Sequence, residues 1–188
     1  MDREAALSLL RAAERPEEER IVAAQRLAEL GATDAVDPML AVLQTSEGEL
    51  RRAVIAALHT LGATTVLLAW LSQREVPRRQ LAAHCLMLLA DPAAEVGMIE
   101  ALPVGDMEVQ VALALAIAAI GSERGLRALA GLLADAQPTA RGAAALAIGR
   151  FRSNEARGIL ERALARESDP TVRGLLEDSL REVVPTEP

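Results

Sequence analysis

The sequence contains no lysine and no tyrosine, and Trp70, Phe151 and Cys85 are the single residues of their types. Each absence excludes something. A lone cysteine excludes an internal disulfide and a cysteine-based metal cluster. Scarce rings argue against a sheet core, which draws on Val, Ile, Tyr and Phe. His59 and His84 are the only imidazoles, and with no acid at a suitable spacing they do not form a metal site. The glycines sit at helix ends or in place of Ala, so there is no glycine-rich phosphate loop, and no cofactor is expected. The longest apolar run, Val111 to Ile120, is about half of what a membrane span requires. The opening Met-Asp-Arg-Glu has no positive region followed by an apolar run. The expectation is a cytoplasmic protein without membrane association.

What is present is mostly small and aliphatic. Of 188 residues, 38 are Ala and 30 are Leu, both good helix formers. The 20 cationic side chains are all Arg, against 27 Asp and Glu, giving a formal net charge of −7. Nucleic-acid binding depends on a basic patch. The acidic total and the two aromatic residues therefore argue against nucleic acid as a partner.

A repeat organises the chain. Arg20, Arg51, Arg79, Gln110, Arg141 and Arg173 recur at intervals of 31, 28, 31, 31 and 32 residues. Gly31, Gly62, Ala90 and Gly121 each fall eleven positions after the first four marks, with Gly149 close to that place in the fifth copy. An Ala/Leu segment lies between the marks, and a second amphipathic run follows. Each copy reads as a helical hairpin. Its first helix is apolar or small on nearly all sides, and its second exposes a face. Hairpins are expected over 17–45, 47–73, 76–102, 106–134 and 137–166, with single helices at 3–12 and 170–183. The hairpin 76–102 is expected to be a shortened copy. Thr33, Thr64, Ser122, Ser153 and Asp91 are candidate N-caps of second helices, and Ser46 with Glu49 has capping-box spacing. Thin hairpins cannot bury their own apolar faces, so stability must come from stacking. The reading is one all-α solenoid domain over residues 1–183, followed by a disordered tail, 184–188.

The repeat resembles the short HEAT-like repeat of the phycobilisome-lyase type. The fragments that carry the likeness are Asp169-Pro170-Thr171-Val172-Arg173, the run from Ala143 to Phe151, and the run from Ala53 to Gly62. The resemblance implies a right-handed α-α superhelix of about five full hairpins plus terminal half-repeats. It implies little about activity, because such repeats occur in protein-binding scaffolds, in bilin-attachment lyases and in subunits of larger assemblies. It also implies that the repeated Arg pairs with acids of adjacent repeats as a structural ladder. Gln110 then marks its weakest rung.

Candidates for chemistry are few. Cys85 reads as a small core residue, and its neighbour His84 diverges from it on the same helix. The run Glu17-Glu18-Glu19 reads as a solvated helix start. The expected working surface is the row of second helices lining the concave side. Its residues are Asp37, Leu68, Trp70, Arg124, Arg127 and Arg162, with Trp70 facing outward as an apolar anchor. The reading is a non-enzymatic scaffold or adaptor that binds another protein or an acidic peptide segment. The alternatives are a bilin-lyase-like enzyme or partner subunit handling a tetrapyrrole or its acceptor protein, and a nucleic-acid-binding HEAT solenoid. A monomer, or a weak homodimer through terminal repeats, is expected.

Overall fold

The computed structural model describes residues 1–183. The tail expected to be disordered, 184–188, lies outside the described residues. The described residues form an all-α, HEAT-like helix-hairpin repeat with no strand. The helices are α1 (Arg3–Arg11), α2 (Glu17–Glu29), α3 (Val36–Thr45), α4 (Gly48–Thr60), α5 (Ala63–Leu71) and α6 (Val76–Leu89). They continue as α7 (Glu95–Ala101), α8 (Met107–Ile120), α9 (Glu123–Leu132), α10 (Pro138–Ile148), α11 (Asn154–Leu164) and α12 (Pro170–Glu182). Short 3-10 turns lead into α3 and α7 at Thr33–Ala35 and Pro92–Ala94. The chain divides into two compact units, Met1–Trp70 and Leu71–Pro188.

In the N-terminal unit, α1 packs on α2 and α3, and α4 packs on both α2 and α3. Ala6, Ala23, Ala24, Leu27, Met39 and Leu43 are fully buried there. In the C-terminal unit, the first helices stack in the order α6, α8, α10, α12, while α7, α9 and α11 pack beside them. Ala114, Ala116, Ala140, Ala144, Ala145 and Ala147 are completely buried in that stack. Methyl side chains let neighbouring helix backbones approach closely, which explains both the alanine excess and the lack of rings. Leu176 of α12 and Val183 just past its end are buried as well, and α12 packs on α10 and α11.

The helix ends show which local signals work. Ser122 Oγ accepts from Gly125 N–H, Ser153 Oγ from Ala156 N–H, and Asp91 Oδ1 from Ala93 N–H. Asp169 Oδ1 accepts from both Thr171 and Val172 N–H. Three expectations need correction. Thr33 opens a 3-10 turn, and Thr64 lies inside α5, so neither is an N-cap. Ser46 does not cap α4: its Oγ is buried without a hydrogen-bond partner. The N–H of Leu50 in that first turn is taken by Glu17 Oε1, at 2.9 Å, from α2. Glu17 is therefore a cap for the next repeat rather than only a solvated helix start. Finally, the shortened copy is the second, since only 28 residues separate Arg51 from Arg79. Its α5 starts directly after Gly62, without a 3-10 lead-in.

Three small residues at equivalent turns have two different causes. Gly121 ends α8 in the left-handed region at φ 73°. Ala90 does the same for α6 at φ 47°, where a Cβ costs roughly 1 kcal/mol. Gly149 has an ordinary helical φ of −56°. It is small because a Cβ there would lie 2.8 Å from Cβ and 3.2 Å from Cα of Ser179 on α12.

Candidate functional site

The repeated Arg does form a ladder, and its commonest partner is a carbonyl. Arg20 Nε donates to the Leu10 carbonyl at 3.1 Å, and Arg51 Nε to that of Ser46 at 2.6 Å. Arg79 Nη1 reaches the carbonyls of Gln73 and Arg74, both at 3.0 Å. Arg173 Nη1 does the same to Leu164 and Glu167, again at 3.0 Å. Each guanidinium thus satisfies carbonyls in the segment that precedes its own helix, where helix ends leave acceptors free. The rigid fork makes several such bonds at once. Among the described residues the expected pairing with acids occurs twice. Arg79 Nη2 meets Asp106 Oδ2 at 3.3 Å, while Asp106 Oδ1 caps α8 through Val109 N–H. At the fourth copy the position is Gln110, buried and without charge.

The fifth rung is the strongest. Arg141 Nε and Nη2 bond the two oxygens of Glu167 at 2.7 and 2.9 Å. Arg141 Nη1 bonds the carbonyls of Asp135 and Ala136. Glu167 Oε1 also accepts from Ser168 and Asp169 N–H. The side chains are 16% and 7% exposed. The Arg141 hydrogen bonds, followed by that from Asp169 N–H, hold the Glu167 carboxyl down at about 2. A carboxylate so held cannot act as a proton donor at neutral pH.

This ion pair closes one end of a groove of about 590 Å³ in the C-terminal unit, between α9 and α11. Its floor is aliphatic: Ala130, Leu133, Ile159 and Ala163. Its rim carries Arg162 and Arg166. Both are exposed, and neither forms an ion pair among the described residues. On the same helices Arg127 pairs with Glu123 and Arg157 with Glu161, while Arg124 of α9 forms no ion pair among the described residues and does not line the groove.

A second groove of about 360 Å³ lies among the first helices α8, α10 and α12. Met107, Val111, Leu146, Val172 and Leu175 line it, over Gly142 and Ala143. Met107 and Leu146 are exposed at its rim.

Of the residues expected at the working surface, Arg124, Arg127 and Arg162 lie exposed on α9 and α11. Arg162 alone of the three lines the groove. In the N-terminal unit, Asp37 is exposed on α3 and Leu68 half-buried on α5. Trp70 is 8% exposed. Its ring is covered, where the sequence argument placed it outward; α5 is apolar enough to bury the face that carries it. Arg166 belongs to the basic row that the sequence places on the second helices, whereas the aliphatic floor, Leu133 and Ile159 among it, carries no signal in the sequence.

Reactive groups are not assembled. Cys85 is buried, and burial pushes its thiol up to about 12, so it stays protonated and unreactive at neutral pH. His84 beside it is exposed. No cluster of His, Cys, Asp or Glu suited to a metal ion occurs among the described residues.

Comparison with known proteins places this geometry in a fold class. Residues 96–181 match the sequence model of HEAT repeats. The fold is similar to that in the complex of CpcE and CpcF of phycocyanin lyase from Nostoc sp. PCC7120. The TM-score is 0.59 at 20% identity, over 78% of this chain and 98% of that one. Human deoxyhypusine hydroxylase is similar over 96% of this chain and 73% of its own, with a TM-score of 0.56 at 16% identity. A designed armadillo repeat protein in complex with the peptide (KR)4 gives 0.51 at 16% identity, over 98% of this chain and all of that one. No curated protein sequence matches significantly. Among the described residues no single helix is long and apolar enough to cross a membrane; α4 and α5 pass that test only as a pair, bent by 84°.

Proposed function

We propose that the chain is a protein-binding repeat scaffold that works through the faces of its second helices, acting by binding rather than by chemistry. The observation that carries this reading is the α9–α11 groove, with two uncompensated arginines above an aliphatic floor. Arg is enriched where protein surfaces meet, and unpaired charges on a groove rim give register to a partner. Arg124 and Arg127 extend the cationic character along α9. Asp37 and Leu68 are the corresponding candidates in the N-terminal unit, and Trp70 is buried.

The fold likeness to the CpcE–CpcF complex supports a second reading at least as well. In it the chain is a lyase-related subunit handling a tetrapyrrole or its acceptor protein. The two readings share a protein partner and differ in whether a pigment is present. A photo-cross-linking side chain tests both, placed at Gly131 or Ala134 beside the groove and, for comparison, at Ala119 or Leu146 on first helices. In native extract, the scaffold reading predicts a cross-linked partner from the groove positions. A partner captured only from Ala119 or Leu146 contradicts it. A visible absorption band that purifies with the chain selects the lyase-related reading.

A further inference from the structure

We infer that the α9–α11 groove takes an extended acidic peptide segment in which two carboxylates flank an aliphatic residue. This deepens the protein-binding reading and rests on it.

The charges come first. Five ionisable side chains line the groove: Arg141, Arg162, Arg166, Asp135 and Glu167. Glu167 is neutralised by Arg141, while Asp135 accepts one backbone N–H and keeps its charge, so the lining sums to +1. Both oxygens of Glu167 are engaged, by Arg141 and by Ser168 and Asp169 N–H. Asp135 Oδ1 accepts from Gln137 N–H at 2.8 Å. Arg141 is occupied as well, by Glu167 and by two carbonyls. The forks of Arg162 and Arg166 remain, each with donors suited to bidentate recognition of a carboxylate. The chain as a whole carries −7. At physiological salt, charges beyond about 8 Å are largely screened, so these two local cations decide the sign of the ligand.

Geometry sets the spacing. Arg162 lies on α11 and Arg166 just past its end, where Ala165 keeps helical dihedrals of −65° and −19°. Side chains four apart on a helix are about 5–6 Å apart at Cβ. Alternate residues of an extended chain recur at about 6.6 Å. Residues i and i+2 of an extended peptide therefore match the arginine pair, and the side chain between them turns the other way. That side chain meets Ala130 of α9 and Leu133 at its C-terminal end, a surface that favours an aliphatic group over a polar one.

The test uses the full chain and a fluorescein-labelled peptide with a central Glu-Leu-Glu between neutral flanks, followed by fluorescence anisotropy. We expect saturable binding that weakens at least about tenfold for Gln-Leu-Gln and for the chain carrying Arg162→Gln with Arg166→Gln. Glu-Ser-Glu is expected to bind severalfold more weakly than Glu-Leu-Glu. Arg15→Gln with Arg52→Gln, exposed in the N-terminal unit and outside the groove lining, is expected to stay within about twofold of wild type. Circular dichroism of each variant confirms the helical fold. Unchanged affinity of the Arg162/Arg166 variant overturns the proposal, as does equal binding of Glu-Ser-Glu. Biliverdin, whose propionates offer the same carboxylate chemistry, is titrated in parallel. Arginine-dependent binding of biliverdin without binding of the peptide also overturns it. Absence of peptide binding does so even when cross-linking at Gly131 or Ala134 captures a partner, so failure of this inference is distinct from failure of the scaffold reading.

Discussion

The two grooves of the C-terminal unit are built from the same repeats and differ in chemistry. Between the first helices, Met107, Val111, Leu146 and Leu175 surround Gly142 and Ala143, and the surface is almost wholly apolar. Between the second helices, the aliphatic floor is ringed by Arg141, Arg162, Arg166, Asp135 and Glu167. The difference follows from the repeat. A first helix is packed on both sides by neighbouring first helices, so small and apolar residues occupy nearly every face. A second helix has an open face, which is free to carry charge. The first-helix groove is a seam of the packing, and the second-helix groove is where recognition can vary without disturbing the stack.

Substitutions can break or sharpen that contrast. The largest effect is expected at Glu167, because it pairs with Arg141 of α10 and accepts from the Ser168 and Asp169 N–H groups that lead into α12. Glu167→Ala leaves a largely buried guanidinium with carbonyl partners only. It should lower unfolding stability by about 3 kcal/mol, read by chemical denaturation. A loss under 1 kcal/mol would show that the carbonyl bonds alone hold Arg141.

The same residue sets a pH signature. The Glu167 carboxyl falls from 4.5 to about 2 in the folded chain, chiefly through the Arg141 hydrogen bonds. Its contribution is therefore complete above 4.5 and is lost as pH falls from there through about 2. The stability difference between wild type and Glu167→Gln should be constant above pH 5 and shrink below 4.5. A difference that persists unchanged at pH 2.5 would contradict this assignment.

The next effects concern Gly142 of α10 and Gly149 at its C-terminal end. At Gly149 a Cβ meets the Cβ and Cα of Ser179, and backbone must move. Gly149→Ala should cost about 2 kcal/mol. At Gly142 a Cβ would lie 2.9 Å from Leu175 Cδ1, the flexible end of a side chain. Gly142→Ala should cost under about 1 kcal/mol, with Leu175 swinging into the apolar groove. Thermal unfolding of both variants ranks them; an inverted order would mean that α12 shifts more readily than Leu175.

The smallest effects belong to the rims. Arg162→Gln with Arg166→Gln, and separately Met107→Ser with Leu146→Ser, should each change stability by no more than about 0.5 kcal/mol per residue. A large loss in the arginine variant would move those residues from recognition to structure.

The helix hairpins were legible in the sequence because their signals are local. The spacing of Arg and Gly placed every hairpin to within a few residues, and Ser122, Ser153, Asp91 and Asp169 cap where their positions indicate. The failures are non-local. Ser46 has the right spacing for a cap, but the Leu50 N–H is claimed by Glu17, 33 residues earlier. Glu167 lies 26 residues from Arg141, and nothing in its own neighbourhood marks it as that partner. Gly121 and Gly149 look alike in the repeat, yet one answers to a dihedral angle and the other to Ser179. Arg162 could be nominated from its charge on a second helix. The floor beneath it, Leu133 and Ile159, comes from two repeats and becomes a surface only after they pack. Trp70 was singled out for rarity, and rarity does not determine exposure.

The central claim is that the second-helix groove, rather than the apolar seam between first helices, is the recognition surface. Hydrogen–deuterium exchange of the full chain, with and without the Glu-Leu-Glu peptide at saturating concentration, tests it directly. Slowed exchange confined to residues 130–135 and 159–168 is the predicted result. Protection at 107–111, 142–146 and 172–175 with none at 159–168 would contradict it.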